Sequence, residues 1–139
     1  ALPDDALWVS AMAVKCELVR FFGDADRAEP LVEALAPYAG RLACNATATS
    51  TGGVSRYLGL AAHVAGRLDE AEGWFERATA EHEAWGARPW LARTLADHAE
   101  LVAERGGRGA ASRATDLVER ARALAAEIGL RDPFTPRAT

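Results

Sequence analysis

Three histidines, His63, His82 and His98, are the side chains of this 139-residue sequence best suited to ligate a metal or carry a proton near neutral pH. His63 and His98 fall on the first helices of successive helix pairs, where they can approach one another. No third and fourth ligand at metal-binding spacing accompanies them, so packing roles and no metal are expected. Asp69, Glu70 and Glu72 are paired carboxylates of the kind that do acid–base work in a cleft. Here they open a helix, where the positive end of the helix dipole accounts for them. Asp97 and Glu100, on a first helix, are the more interesting acids. Ser55, Ser112 and Thr94 lack the GxSxG setting of an activated nucleophile. Gly52-Gly53 follows a Ser/Thr run without a preceding strand and reads as a hinge, not a phosphate cradle. No GxxxxGK[ST] loop is present. Cys16, on an apolar helix face, and Cys44, in a loop-like stretch, are too few for a disulfide framework and read as buried free thiols. No catalytic set and no cofactor emerge, so an enzyme is not expected.

Charge and composition exclude further classes. The net charge is −4, whereas a nucleic-acid reader needs a basic patch to displace counterions. Fifteen arginines against one lysine, Lys15, with abundant alanine, read as genome composition. No run of about 18 apolar residues would span a bilayer. Asp4 and Asp5 stand where an export signal carries basic charge, so a cytoplasmic location is expected. Asn45-Ala46-Thr47 then matches a glycosylation acceptor only by chance.

The elements that must position these residues are helical. Leu7, Ala11, Val14, Leu18 and Phe22 recur at spacings of three and four, predicting a helix over 5–22 that Gly23 ends. Asp24 caps a second helix over 25–39, with Pro30 either in its first turn or at a kink. Residues 40–53 are turn-rich and β-branched and predict a long connection. Four further helices follow over 54–65, 68–85, 89–105 and 111–128, stopped by Gly66, Gly86, Gly106-Gly107 and Gly129. Trp85 and Trp90 flank the Gly86 turn and are expected to staple the fourth helix to the fifth. Trp74 is placed at an inter-repeat seam.

An internal repeat organises them. Gly23, Gly66 and Gly109 are 43 residues apart, as are Ala28, Ala71 and Ala114. The same offset relates Leu31, Trp74 and Leu117, then Val32, Phe75 and Val118, and Gly86 to Gly129. A period near 40 in an Ala/Leu-rich chain means stacked helix pairs. The expected fold is all-α, an αα-superhelix of about three pairs and roughly six helices. It forms a single domain over 1–139 with units at about 5–39, 52–86 and 89–129. The tail, 130–139, parallels the Gly86–Trp90 approach to a helix, so the chain reads as a piece of a larger protein.

Segment 52–85 resembles a tetratricopeptide repeat. Leu58 and Gly59 occupy the first-helix pair, Gly66 and Leu68 the turn, and Ala71, Phe75 and Ala78 the second helix. Small Gly59 and Ala71 let helix axes approach closely. Ser55, Ala62 and Glu83 depart from the pattern. Segment 23–36 matches through Gly23, Ala28, Val32 and Leu35, and segment 94–121 through Ala99, Gly106, Ala114, Val118 and Ala121. More finely, LVEALAPYAGR, SRYLGLAAHVAGRLDEAEGWFERA and WGARPWLARTLADHAELVAERG are similar to the C-terminal repeat region of large bacterial regulators. These carry a signal-transducing ATPase module, and many end in a LuxR-type DNA-binding domain.

The resemblance implies a non-catalytic arm that docks a peptide or protein in the concave face lined by first helices. Its partner would be another domain of the parent, a second copy or a separate protein. The implied groove positions are Glu17, Arg20 and Phe21, then Arg56, Leu60 and His63, then Arg93, Ala96 and Glu100. Their arginines would suit a carboxylate or phosphate; as a bland alternative, they form a solvated face. A small-molecule inducer is the other ligand the resemblance implies. An enzyme remains the remote alternative, since fold alone never excludes one.

Overall fold

The repeat requires helices broken at fixed places, and the computed structural model, which describes residues 7–45, 50–130 and 133, shows what breaks them. Asp4, Asp5, Ala46, Thr47 and most of the 130–139 tail lie outside the described residues. Helix α1 spans Trp8–Phe22 and α2 Ala25–Leu35, followed by a 3₁₀ turn at Ala36–Tyr38. A two-stranded hairpin, β1 (Leu42–Cys44) and β2 (Ser50–Gly53), leads into α3 (Val54–Val64). Helices α4 (Leu68–Ala84), α5 (Arg88–Arg105) and α6 (Ala110–Glu127) complete the described chain. Among the described residues, no helix is long and apolar enough to cross a membrane. At Gly23, φ is +67°, and its N–H turns back to Arg20 O while Asp24 N–H bonds Val19 O. Gly66, at φ +75°, repeats the arrangement with His63 O and Ala62 O. This closure satisfies the last carbonyls of a helix and needs a left-handed residue, hence glycine. Asp24 then caps α2, its carboxylate accepting from Arg27 N–H at 3.2 Å.

Helix α2 runs unbroken through Pro30, in its second turn, and ends at Leu35 instead of reaching residue 39. Pro37 lies in the tighter turn that follows, where the chain no longer needs its missing N–H for an α-helical bond.

The six helices pack sequentially, each on the next, as a repeat-like array. Helix α3 is its centre and touches α1, α2, α4 and α5; every residue from Val54 to His63 is buried. A methyl in place of the Gly59 hydrogen would stand 2.7 Å from two carbons of the Phe75 ring. Gly59 is therefore the contact that lets α4 lie close on α3, with Ala71, Phe75 and Ala78 fully buried along the same seam. Ala28, Leu58, Ala114 and Ala121 are buried as well, while Val118 and Leu68 are half-buried.

The long connection expected over 40–53 is instead the hairpin. Leu42 pairs with Gly53 and Cys44 with Ser50, with an irregularity between them. The Thr and Gly residues here do not continue a helix, but a stretch that cannot be helical can still pair as strands, and β-branched residues favour it. Gly52-Gly53 is no hinge. A Cβ on Gly52 would lie 2.9 Å from the Trp90 ring, and one on Gly53 3.0 Å from His82 Nε2. Glycine is required because β2 lies flat against α4 and α5. Trp90 and Trp85 consequently meet the hairpin at Gly52 and Gly53. Trp74 packs half-buried against the main core, its indole N–H donating to Glu70. Cys16 is buried and burial pushes its thiol pKa up to about 12; Cys44 is exposed at the strand end, contrary to the expectation of two buried thiols.

Candidate functional site

Of the nine positions implied for a concave groove, Glu17, Arg20, Arg56 and Glu100 are joined through ion pairs, and most of the nine do not face solvent. Arg56 has no exposed surface, and Leu60, Ala96, Arg20 and His63 are buried. Arg93 and Glu100 are half-buried, Glu17 is 37% exposed at its side chain, and Phe21 is exposed. The solvated-face reading of these charges therefore fails for Arg56 and Arg20.

They form a network joining all three first helices. Arg56 Nε, from α3, donates to Asp97 Oδ2 of α5 at 2.8 Å, and its Nη1 donates to Glu17 of α1 at 2.7 Å. Arg20, from α1, reaches across to Asp97 Oδ1 at 3.1 Å and Glu100 at 2.9 Å. Asp97, 3% exposed, is thus the hub, with one oxygen for each guanidinium. Burial opposes the Arg56 charge, but the adjacent Asp97 and Glu17 carboxylates outweigh it and raise the Arg56 pKa above its ordinary value. Farther along the same helices, His63 meets Glu104 at 2.9 Å, beside a small cleft lined by Arg20, Gly23, His63, Val64 and Glu104. Side chains that a more open superhelix would offer to a ligand here bind one another.

The second buried polar group, His82, serves the hairpin. Gly53 N–H donates to its Nε2 at 2.9 Å, so that nitrogen carries no proton. Nδ1–H is then the donor to Thr94 Oγ1, 3.0 Å away. Burial, and secondarily the Arg56 charge, push the His82 pKa down to about 4. His63 and His98 have separate partners: Glu104 for the first, the Phe75 ring stacked at 5.8 Å for the second. Glu72 is not simply a dipole partner at the start of α4. It receives ion pairs from Arg105 and Arg113, and Arg113 also reaches Glu76 at 3.1 Å, clasping α4 to α6.

The open apolar surface lies elsewhere, at the α1–α2 end, and includes Leu7, Val14, Leu18 and Phe22 from the periodic apolar face that predicted the first helix. Val14, Leu18, Phe21 and Phe22 are 55%, 50%, 42% and 69% exposed. A cleft of about 620 Å³ runs beside them between α1 and α2, lined by Leu18, Val19, Phe22, Pro30 and Leu31 together with the charged Lys15, Asp24, Asp26 and Arg27. Its signal was present in the periodicity of α1: Met12, Ala13, Cys16 and Val19 already make one buried face, leaving Val14, Leu18 and Phe21 as a second. No protein-family model matches the chain, and no curated protein or solved structure is significantly similar to it.

Proposed function

We propose that this chain is a non-catalytic docking module whose partner presents an amphipathic helix or helix pair to the α1–α2 face. The observation that carries the reading is the second apolar face of α1. Shifted by the 43-residue repeat, Val14 and Leu18 correspond to Tyr57 and Ala61 of α3, which are 3% and 0% exposed inside the array. The repeat thus leaves uncovered on α1 the positions it covers on α3, where Tyr57 also bonds the hairpin through Thr51. A contiguous exposed apolar face of this kind favours a partner surface. The resemblance to the repeat arms of bacterial ATPase regulators supports the same reading, with the partner another helical part of the regulator. Docking in the concave face, the original expectation, is disfavoured because the charges that would recognise a ligand are paired and buried.

The test selects helical peptides on the purified chain by display and remeasures them on variants. Leu18→Glu and Phe22→Ser should abolish binding, while Arg93→Glu on the concave side should leave it intact. Peptides that bind Leu18→Glu as well as the parent, or that lose binding to Arg93→Glu alone, would overturn the proposal. The cleft volume also falls in the range of small-molecule sites, about 300–1,000 Å³. An inducer would bind there and raise the melting temperature of the parent chain but not of Leu18→Glu.

A further inference from the structure

We propose that Glu72, Glu76 and His98 form a site for a divalent transition-metal ion of the zinc class, which Arg113 occupies when no metal is bound. Glu72 and Glu76 are one α-helical turn apart on α4 and project from the same side. His98 comes from α5, and the three residues bring one potential ligand atom each to within 4.8 Å of one another. The independent observation is the imidazole. His98 is 4% exposed, and its Nε2 is buried with no hydrogen-bond partner among the described residues. A buried ring nitrogen normally finds a partner. Stacking on Phe75 fixes the plane of this ring, so the nitrogen cannot simply rotate toward water.

The donor set decides the class of ion. One imidazole nitrogen and two carboxylates suit zinc and its first-row neighbours, whereas calcium and magnesium prefer all-oxygen shells. Ligand atoms around tetrahedral zinc stand roughly 3.3 Å apart, from bond lengths near 2.0 Å. Closing from 4.8 Å falls most readily to Glu76, whose side chain is 61% exposed and tied only at the surface, to Arg113.

Arg113 marks the place of the cation. Its guanidinium bridges Glu72 and Glu76, as a metal ion would, and its side chain is 47% exposed, so it withdraws to solvent at little cost. Arg105 stays on Glu72 and Asp69. Metal binding therefore exchanges the α4–α6 clasp through Arg113 for an α4–α5 clasp through His98.

The experiment titrates the full chain, stripped of metal, with Zn²⁺ by calorimetry and with Co²⁺ by its visible absorption. One site per chain is expected. Arg113→Gln should bind more tightly, because it removes the competing cation. Glu76→Gln and His98→Gln should each weaken binding at least about tenfold. Circular dichroism checks that each variant is folded, and Glu76→Gln, a surface change, keeps the test alive if His98→Gln does not fold. Absence of binding to both the parent chain and Arg113→Gln would overturn the proposal. So would binding that survives Glu76→Gln unchanged, or binding weakened by Arg113→Gln.

Discussion

Replacing Asp97 by asparagine should destabilise the fold far more than replacing its partner Arg56 by methionine. Both residues are buried and both belong to one ion-pair network, but they occupy unequal places in it. Asp97 holds two guanidinium groups, at 3% side-chain exposure for itself, none for Arg56 and 4% for Arg20. Asparagine keeps the shape, yet it removes the buried carboxylate shared by two guanidinium groups, leaves Arg56 to the partly exposed Glu17 and Arg20 to Glu100, and turns an amide N–H₂ toward one of the two guanidinium groups. Breaking a buried pair from one side costs roughly 3–5 kcal/mol. For a chain of this size that lowers the melting temperature by about 12–20 °C, at about 4 °C per kcal/mol. Arg56→Met strands less. Asp97 keeps Arg20, and Glu17 is open enough to water to hydrate. The change also deletes Arg56 Nη2, a buried donor without a partner among the described residues. Methionine fills the vacated stem volume, so the cost should stay within about 2 kcal/mol.

The double variant separates this from generic core damage. In the Asp97→Asn background the Arg56 guanidinium is a liability, so adding Arg56→Met should recover part of the lost stability. Urea titrations followed by circular dichroism give all four corners of the cycle. If Arg56→Met proved as costly as Asp97→Asn, or if the two losses simply added, Asp97 would not be the hub that the geometry makes it.

The hairpin latch should be acid-sensitive. His82 has a folded pKa of about 4 against 6.5 for the free side chain, so the unfolded chain binds the proton more readily. Its contribution is complete above pH 6.5 and is lost as pH falls toward 4, by about 3 kcal/mol in all. Urea midpoints measured from pH 7 to 4 should show a slope that His82→Gln flattens, and equal slopes would refute the assignment. Gly59→Ala should destabilise by about 1–3 kcal/mol through the Phe75 contact, despite alanine's better helix propensity; a thermal melt shifted upward would contradict it. A thiol reagent should titrate one cysteine quickly in the folded protein, Cys44, and both after denaturation, since Cys16 is buried with a raised pKa. Rapid modification of both would show that the α1 core is open.

What the sequence made legible is local. Gly23, Gly66, Gly86 and Gly129 are helix stops because left-handed closure has few alternatives, and all four have positive φ. Gly59 and Phe75 are legible as a pair because a missing side chain and a large ring answer each other across a helix crossing. The hairpin was invisible as such. Residues 42–44 and 50–53 are too short to establish a period of two, and the groups that β2 packs against, His82 and Trp90, lie roughly 30 to 40 residues on in sequence. The same distance hid the ion-pair network. The repeat resemblance implied Glu17, Arg20, Arg56 and Glu100 as groove positions, and ion pairs link them in the structure. Whether such positions line a groove or an interior depends on how sharply successive pairs turn, and no local pattern encodes that angle. One fact about the network nonetheless follows from elementary electrostatics. Two buried arginines require a buried acid, and Asp97, the acid between Arg93 and Glu100 on α5, is the residue that supplies it. Charge pairing therefore fills the side of the array where α1, α3 and α5 meet, and the proposed docking is left with the exposed apolar residues at the α1–α2 end.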